Sequence, residues 1–352
     1  MNAPASPEQD ATPAASAAPV QPPAEGKKHY LFSGIQPSGD IHLGNYLGAI
    51  RNWVALLDQY RCIFCIVDYH AITVDYDAEL MQERIRRAAV VNMAAGLDPE
   101  RCLLFAQSRI PEHTELTWVF NTLTPMGLLG RMTQFKDKSR RNEENVNVGL
   151  FDYPVLQAAD ILLYRASAVP VGEDQVQHIE LTRDIARKFN QRFGEYFPEP
   201  RALVPKTGAR IMGLDGQAKM SKSLNNYVGL TEEPEVIWEK LRPAFTDPAR
   251  KRRSDPGNPL ICNIYTLHEN FSPPEVQEEC AQGCRAAAIG CIDCKKRLYE
   301  HMMKTLDPIR EKANELASKP DEVEGFLEAS TQTCRAMAKE TMAEVRERLG
   351  LR

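Results

Sequence analysis

The sequence predicts an α/β fold in which a parallel sheet occupies the first part of the chain and helices alone occupy the second. Between residues 27 and 206, apolar runs alternate with amphipathic stretches, and such strand–helix–strand alternation is typical of parallel sheets with right-handed crossovers. From residue 226 onwards only helical periodicity is present. We therefore expect a Rossmann-like domain over 27–225 and an all-helical domain over 226–352, with a last helix able to pack back on the first domain.

Each predicted element has its own pattern. The runs 30–35, 61–67 and 102–106 are continuously apolar, as is typical of strands buried on both faces of a parallel sheet. A helix is predicted over 46–60, because Ile50, Trp53, Val54 and Leu57 then share one face. The other helical segments are predicted at 78–95, 233–241, 259–268, 274–288, 291–304 and 322–349.

The charge balance limits the ways in which the chain can meet nucleic acid. The 352 residues carry a formal net charge of -5, which argues against a protein that binds nucleic acid by bulk charge. Any RNA contact must use local basic runs, and 250–253 and 295–297 are the candidates, with an ordinary solvated surface as the alternative. We expect no DNA partner.

The first 26 residues are rich in Ala, Pro, Ser and Gln and poor in bulky apolar side chains. Such a segment cannot offset the entropy of ordering, so a disordered tail is predicted. It lacks the basic start and apolar core of a secretory signal. No run of about 18 apolar residues follows anywhere in the chain. These patterns predict a cytoplasmic protein with no membrane partner.

Two short segments have the composition of a phosphate-binding site. The turn that contains Gln36, Pro37, Ser38, His42, Gly44 and Asn45 links the first predicted strand to a helix. Backbone N–H groups at a helix N-terminus, together with a ring nitrogen, can meet phosphates there. The later run K-M-S-K-S, residues 219–223, offers two ammonium groups and hydroxyls for a leaving pyrophosphate. An ordinary polar turn is the alternative interpretation of the first segment.

Two further segments place polar groups where a parallel sheet binds ligands, at the carboxyl ends of its strands. Tyr153, Gln157 and Asp160 share one face at helical spacing. An acid among Ala and Leu is costly to bury unless a donor satisfies it. A ligand N–H or O–H could do so, and so could an Arg or a backbone amide. The loop 171–175 supplies carboxylates suited to ribose hydroxyls, or it is a surface turn.

These segments together resemble a known family. Residues 37–45 and 219–223 resemble the HIGH and KMSKS signatures of class I aminoacyl-tRNA synthetases. Segments 32–39, 70–73, 131–136, 159–164 and 169–175 look like bacterial tryptophanyl-tRNA synthetases in order and spacing, and the similarity runs from about residue 30 to the C-terminus. The resemblance implies activation of L-tryptophan by ATP with Mg²⁺ to tryptophanyl-adenylate and diphosphate, followed by transfer to tRNA(Trp). It also implies a homodimer and a helical domain that binds the anticodon.

The resemblance also assigns roles to residues. Tryptophan would be bound through its indole N–H by Asp160, and the rest of its site would be formed by Phe32, His70, Gln134, Tyr153, Gln157 and Gln175. ATP would contact Gln36, Pro37, Ser38, Gly44, Asn45, Lys138, Gly172, Glu173, Asp174, Ile211, Lys219, Met220, Ser221, Lys222 and Ser223. Catalysis would rest on positioning and charge stabilisation, without a covalent intermediate, by His42, Asn45, Lys219, Lys222 and Ser223.

Three other functions remain open. Relatives often have Met where this chain has Gln157, and Gln157 with Tyr153 and Asp160 also resembles tyrosyl-tRNA synthetases, in which the acid receives a phenol. A tyrosine-specific enzyme is therefore an alternative. A small-molecule adenylyltransferase would not need the loop 219–223. A non-catalytic paralogue that binds RNA or senses redox state is the third.

The cysteines predict a metal centre. Five of the nine lie between Cys262 and Cys294. Cys291 and Cys294 are three apart on a predicted helix and can share a ligand, whereas Cys62 and Cys65 lie on a strand, point to opposite faces and are predicted to be core residues. Thiolates with no ligand-like His nearby fit Zn²⁺ or an iron–sulfur cluster, and unliganded thiols are the alternative.

The resemblance extends to this cluster. Some bacterial tryptophanyl-tRNA synthetases carry a [4Fe–4S] cluster on one distant cysteine followed by Cys-x6-Cys-x2-Cys. This implies Cys262, Cys284, Cys291 and Cys294 as ligands here, with Cys280 spare or replacing Cys262. The neighbouring Lys295, Lys296 and Arg297 are predicted to form part of a surface for the tRNA anticodon.

Overall fold

The computed structural model describes residues 29–37, 39–136, 146–205, 211–222 and 224–351. Its sheet has five strands, β1 (Tyr30–Ile35), β2 (Arg61–Ile66), β3 (Cys102–Ala106), β4 (Ala168–Pro170) and β5 (Arg201–Leu203). All neighbouring strands are parallel, in the order β3-β2-β1-β4-β5. The predicted parallel sheet and Rossmann-like class are therefore confirmed. The sequence analysis did not predict β5, which is short and lies at the edge of the sheet.

The helices of the first part alternate with the strands. They are α1 (Leu43–Asn45), α2 (Arg51–Leu56), α3 (Asp68–Ala71), α4 (Met81–Ala94), α5 (Glu112–Asn121), α6 (Met126–Leu129), α7 (Val148–Leu163) and α8 (Val176–Phe193). The predicted helix over 46–60 is present in a shorter and less uniform form. A π-helical turn, Tyr46–Ile50, precedes α2, which ends at Leu56, and Leu57 and Tyr60 are buried in the turn before β2 begins.

The second part is helical, as predicted. Its elements are α9 (Pro234–Leu241), α10 (Asn263–Phe271), α11 (Pro274–Arg285), α12 (Cys291–Ala317) and α13 (Pro320–Arg348). The prediction that α12 stops at residue 304 was wrong. The helix continues through Pro308 because Leu306, Ile309, Ala313 and Leu316 extend its buried stripe. None of the helices in the described part of the chain is long and apolar enough to cross a membrane.

The last helix completes the core of the sheet. On one face of the sheet Leu31 and Ile66 pack with residues of α4, α9 and α12, so this core is continuous with the helical part. On the other face Phe105 lies in one cluster with Cys334 and Met342 of α13. Two further contacts fasten α13: Arg346 pairs with Glu115 of α5, and Arg335 donates to the carbonyl of Arg109 at 2.6 Å.

Candidate active site

A cavity of about 330 Å³ opens at the carboxyl ends of β1, β2 and β4. The sheet topology explains its position, because the chain order reverses between β1 and β4 and ligands bind at such switch points. Among the lining residues are eight that were predicted to bind the substrates: Phe32, Gln36, His70, Tyr153, Gln157, Asp160, Gly172 and Gln175. The fold thus gathers residues that are up to 143 positions apart in the chain, from Phe32 to Gln175.

Asp160 is the buried polar centre of this cavity. Its side chain is held on three sides: Gln107 Nε2 donates to Oδ1 at 2.6 Å, His113 Nδ1 contacts the same oxygen at 2.6 Å, and His70 Nε2 contacts Oδ2 at 2.7 Å. With its proton on Nδ1, His113 donates to the acid and its Nε2 accepts from the hydroxyl of Tyr164 at 2.8 Å. Gln107 and His113 were missed by the sequence analysis.

The network keeps Asp160 ionised. Burial alone would raise the pKa of this carboxyl, but the hydrogen bonds from His113 and His70 outweigh it and lower the pKa to about 2. A carboxylate can accept roughly four hydrogen bonds, and three positions are used by these side chains. One acceptor position therefore remains for a ligand that brings an N–H or O–H into the cavity.

Aromatic rings and amides form the rest of the cavity. Phe32 stacks on Tyr164 with ring centroids 5.7 Å apart, and the hydroxyl of Tyr153 lies 3.0 Å from His178 Nε2. Burial raises the pKa of Tyr153 to about 12, so its phenol keeps its proton. Gln157, one helical turn before Asp160, is half-buried and lines the cavity. The cavity therefore combines aromatic rings with polar side chains, and Asp160 is the most deeply buried of its polar residues.

Gln134 lies beside this cavity and is not among the residues that line it. Its amide donates to Asp174 Oδ2 at 3.5 Å, and Gln175 donates to the same oxygen at 3.1 Å. Gly172 permits this arrangement, because a Cβ atom there would lie 2.7 Å from Asp174 Oδ1. Glu173 and Asp174 follow on a 3-10 turn, Glu173–Gln175, next to the cavity. The fold thus places Gln134 on the side of the predicted ribose loop.

His42 and Asn45 form the start of the first helix. The backbone N–H of His42 donates to Asn45 Oδ1 at 3.1 Å, which caps α1. Burial, with Lys222 and Lys219 nearby, lowers the pKa of His42 to about 4, so the imidazole is neutral at pH 7. Its Nδ1 is buried and has no partner among the described residues. A neutral donor ring under two lysines suits an anionic ligand.

The segment that follows the loop 219–222 is hydrogen-bonded to this helix start. Leu43 N–H donates to the carbonyl of Val228 at 3.0 Å, and Leu230 N–H donates to that of Ile41 at 2.8 Å. Burial lowers the pKa of Lys222 to about 8, against the opposing effect of Asp40. The two signature segments, about 180 residues apart in the chain, therefore form one electropositive corner next to the cavity.

Asn226 supports the same loop from below and was also missed by the sequence analysis. It is 5% exposed. Its Oδ1 accepts from the backbone N–H of Ser221 at 2.8 Å, and its Nδ2 donates to Asp215 Oδ2 at 3.0 Å. Gly213 is required beneath it, since a Cβ atom there would lie 2.0 Å from Asn226 Nδ2. The second of two consecutive asparagines directly after a functional loop was the signal that could have found it.

The remaining predicted site residues fall into two groups. Pro37, Ile211 and Met220 are buried around the corner formed by the two signatures, and Met220 N–H donates to the carbonyl of Ile211 at 3.0 Å. Gly44 lies against the ring of His42, because a Cβ atom at position 44 would lie 3.0 Å from the imidazole. Three predicted ATP contacts, Ser38, Lys138 and Ser223, lie outside the described residues.

The predicted cysteine ligands lie in one region of the helical part. Burial raises the pKa of Cys284, and the thiols of Cys262 and Cys291 raise it further while Arg250 lowers it. The contact with Cys280 and then burial raise the pKa of Cys294, and the thiols of Cys262 and Cys284 add to this effect. Gly257 packs on Cys284, because a Cβ atom there would lie 2.5 Å from its sulfur. All four thiols are partly exposed, but the ligand atoms that lie within 4.8 Å of one another among the described residues belong to His268, Cys280 and Cys294.

Two expectations about this region were wrong. The sequence analysis found no ligand-like His near the thiols, but His268 Nε2 lies 3.4 Å from Cys294 Sγ, since α10 runs beside the start of α12. Lys295 does not form part of a surface for RNA. It is 4% exposed, and its ammonium group donates to the carbonyls of Arg242 and Ala244 at 2.7 and 2.6 Å, at the end of α9.

The fold and the site together define a class of protein. The parallel sheet positions the helix start at His42, the loop 219–222 and the cavity around Asp160 next to one another, as a nucleotide-dependent enzyme that activates a small substrate requires. The family of class I tRNA synthetases for tryptophan and tyrosine matches residues 25–307. The chain belongs to this family.

Individual relatives agree with this assignment. A tryptophan–tRNA ligase from Deinococcus radiodurans is 54% identical over 324 residues, which cover 91% of this chain and 98% of the relative. One from Helicobacter pylori is 45% identical over 331 residues, with 92% and 99% covered. The crystal structure of a tryptophanyl-tRNA synthetase from Campylobacter jejuni complexed with ADP and tryptophan matches with a TM-score of 0.84 at 36% identity, covering 92% of this chain and 100% of that chain.

A tyrosine-specific neighbour shows how far the fold alone reaches. The structure of a tyrosyl-tRNA synthetase from Archaeoglobus fulgidus matches with a TM-score of 0.64 at 22% identity, covering 81% of this chain and 90% of that chain. At this identity the likeness concerns the fold. The choice of amino acid therefore has to be argued from the cavity and from the more similar relatives.

Proposed function

We propose that this protein is a tryptophan–tRNA ligase. It activates L-tryptophan with ATP to tryptophanyl-adenylate and diphosphate, and it then transfers the tryptophanyl group to tRNA(Trp). The observation that carries the proposal is the buried, ionised Asp160 in the cavity at the carboxyl ends of the strands, next to the corner where the two signature segments meet. Relatives that are 40–54% identical and bear the name tryptophan–tRNA ligase support it.

Recognition of the indole rests on the acceptor position that the network leaves on Asp160. The indole N–H of tryptophan would donate to this carboxylate, while the ring lies against Phe32. An amino acid without such a donor would leave the buried charge with an unused acceptor, which is costly. Tyr153, Gln157 and Gln175 would contact the polar end of the substrate.

Activation follows from the charges around the neighbouring corner. The tryptophan carboxylate attacks the α-phosphorus of ATP in line, and pyrophosphate leaves. Lys219 and Lys222, with the Mg²⁺ that accompanies ATP, would neutralise the charge on the leaving group. His42, neutral at pH 7, and Asn45 would hold the phosphates by hydrogen bonds from the helix start. The rest of the predicted ATP site, Gln36, Pro37, Ser38, Gly44, Lys138, Gly172, Glu173, Asp174, Ile211, Met220, Ser221 and Ser223, would position the nucleotide.

Three further properties belong to the same proposal. The helical part, 226–352, would bind the anticodon region of tRNA(Trp), and the enzyme would act in the cytoplasm, where translation uses its product. The thiolates of Cys262, Cys284, Cys291 and Cys294 would hold a [4Fe–4S] cluster, which would order the start of α12. Iron and sulfide analysis of anaerobically purified protein, with each cysteine changed to serine, tests the last point.

We also propose a homodimer. Trp118 on α5 and Met126 on α6 are 72% and 75% exposed, and large apolar side chains exposed on neighbouring elements indicate a protein contact. A second copy of the chain would cover them. Light scattering of the wild-type protein and of Trp118→Lys tests this, with a dimer and a monomer expected, respectively.

Amino-acid-dependent ATP–pyrophosphate exchange tests the main proposal. Exchange is expected with tryptophan and not with tyrosine or phenylalanine, and aminoacylation is expected with tRNA(Trp). Exchange with tyrosine alone would reassign the substrate and keep the mechanism, and Gln157→Met would then be the variant to examine first. A folded, purified chain without exchange for any amino acid would overturn the proposal in favour of a non-catalytic paralogue.

A further inference from the structure

A second group of potential metal ligands lies beside the four predicted thiolates. His268 near the end of α10, Cys280 within α11 and Cys294 in the first turn of α12 present ligand atoms that all lie within 4.8 Å of one another. It is the one such set of three or more His, Cys, Asp or Glu side chains among the described residues. His268 and Cys280 are 0% and 1% exposed. Neither residue belongs to the four-cysteine set.

The histidine ring is oriented toward the sulfur atoms. His268 Nδ1 lies 2.7 Å from the hydroxyl of Ser272, whereas Nε2 lies 3.4 Å from Cys294 Sγ and 3.1 Å from the carbonyl oxygen of the same residue. With its proton on Nδ1 and donated to Ser272, the ring would offer Nε2 to a metal, and the metal bond would replace the contact between Nε2 and the Cys294 carbonyl. Ser272 is itself 7% exposed, so this contact is protected from solvent.

The chemistry of the three groups selects the kind of ion. Cysteine sulfur and imidazole nitrogen are the ligands of zinc, at bond lengths of about 2.3 and 2.0–2.1 Å. In a tetrahedral site such bonds place the ligand atoms roughly 3.5 Å apart, close to the separation of His268 Nε2 and Cys294 Sγ. Two thiolates would balance the charge of a divalent cation. The partial exposure of Cys294 leaves a direction from which water can enter as the fourth ligand.

We propose that His268, Cys280 and Cys294 form a second metal site, which binds a zinc-like divalent cation through one nitrogen and two sulfur atoms. The site shares Cys294 with the four-thiolate set, so the two sets cannot be filled at the same time. Binding releases the thiol protons of Cys280 and Cys294 to solvent, and no electron is transferred. The bound ion joins α10, α11 and α12, and it does so whether or not the proposed synthetase activity is correct.

Cobalt(II) titration tests the site, because tetrahedral cobalt reports its ligands by absorption. Full-length protein, stripped of metal by a chelator and kept reduced, is titrated with Co²⁺ alone. His268→Asn and Cys280→Ala are expected to weaken cobalt binding by more than about tenfold. Even the loss of a residue that only hydrogen-bonds to a metal ligand lowers metal affinity by about tenfold or more. Cys262→Ala and Cys284→Ala are the matched controls and are expected to bind as the wild type does.

The opposite pattern, in which the controls lose cobalt and His268→Asn and Cys280→Ala retain it, would overturn the proposal. So would a wild-type chain that binds no cobalt. If circular dichroism shows that a variant of a buried residue is unfolded, the absorption spectrum of the cobalt-loaded wild-type protein still tests the proposal. A thiolate-to-cobalt band with the intensity of two sulfur atoms supports the site, and one with the intensity of four contradicts it. A further expected result is that zinc-loaded protein fails to take up iron and sulfide until the zinc is removed.

Discussion

The backbone N–H of Ser221 donates to Asn226 Oδ1 at 2.8 Å, and the same asparagine holds Asp215 with its amide nitrogen. Asn226 thus connects Ser221, in the middle of the loop 219–222, to the preceding turn that contains Asp215. The amide oxygen and the amide nitrogen of this buried side chain are both hydrogen-bonded, and they hold the loop that would receive pyrophosphate against the rest of the protein. A loop shaped in this way loses little entropy when it closes on phosphates.

Replacing this amide should disturb the loop more than the amino-acid site. Asn226→Ala leaves the Ser221 N–H and Asp215 with fewer partners, and we expect the free energy of unfolding to fall by about 1–3 kcal/mol. The exchange rate at saturating tryptophan should fall, while tryptophan affinity by equilibrium dialysis stays close to wild type. Asn225→Gly is the control, because Asn225 has φ 48° and glycine tolerates that conformation. An equal loss in the control would refute the role of Asn226.

The charge on Lys222 should appear in the pH profile of activation. Its pKa is lowered to about 8, so the charged fraction falls as the pH rises past that value. We expect kcat/KM for ATP, which reports the free enzyme, to decline above about pH 8. Lys222→Arg should lack this decline, since guanidinium stays charged.

The neutral variant tests the same side chain in a different way. Lys222→Ala should lower exchange on the order of 100-fold, as is common when a group that stabilises transition-state charge is removed. Tryptophan binding, measured by dialysis, should change little. An unchanged exchange rate would exclude Lys222 from the activation step.

The donors to Asp160 should matter for amino-acid binding. His113→Phe keeps a ring but removes one hydrogen bond to the buried carboxylate. We expect a loss of about 1–3 kcal/mol, which would raise KM for tryptophan by roughly 5- to 150-fold. Tyr164→Phe removes only the hydroxyl on the far side of His113 and should have a smaller effect. Steady-state exchange kinetics measures both variants. A larger effect of Tyr164→Phe would show that the hydroxyl, and not the imidazole, controls the acid.

Asp160 should also contribute to stability in a pH-dependent manner. Its pKa is lowered from 3.8 to about 2, so the carboxylate stabilises the fold above pH 3.8, and this contribution is lost as the pH falls through about 2. The pH-dependent part is about 2 kcal/mol. Urea unfolding of Asp160→Asn between pH 5 and 2 should therefore show a shallower loss of stability than the wild type.

The matched control for this experiment is an exposed acid. Hydrogen bonds from Lys319 and Lys312 lower the pKa of Glu315 to about 2 as well, but solvent and salt screen exposed pairs. Glu315→Gln should therefore leave the slope unchanged in moderate salt. Equal slopes for Asp160→Asn and the wild type would show that the buried network does not depend on the charge of the acid.

The part of the site that could be predicted from the sequence lies in short segments. Phe32, His70 and Gln175 belong to motifs that follow strands, and strand ends converge on one edge of a parallel sheet. Gln107 and His113 belong to no motif, and they reach Asp160 only because β3 and α5 pack beside α7. Gln107 directly follows β3, so the same strand-end rule could have found it, whereas nothing local singles out His113.

Charge runs were less informative than strand ends. Lys295 stands in a basic run that suggests a solvent-facing surface, yet two backbone carbonyls at the end of α9 bind its ammonium group. Carbonyls at a helix end lack internal partners and attract cations, and only the crossing of α9 and α12 brings the two together. In the same way, the proximity of His268 to the thiols depends on how three helices cross.

The position of α13 makes the helical segment before it an insertion rather than an appendage. The chain leaves the sheet after β5, builds α9–α12, and returns through α13 to cover β3 with Cys334 and Met342. A fragment cut at the end of the sheet would expose the apolar face that α13 covers, and it would aggregate instead of forming a minimal enzyme. Chimeras that exchange α9–α12 must therefore be spliced at two junctions, so that residues 320–348 stay with the parent sheet.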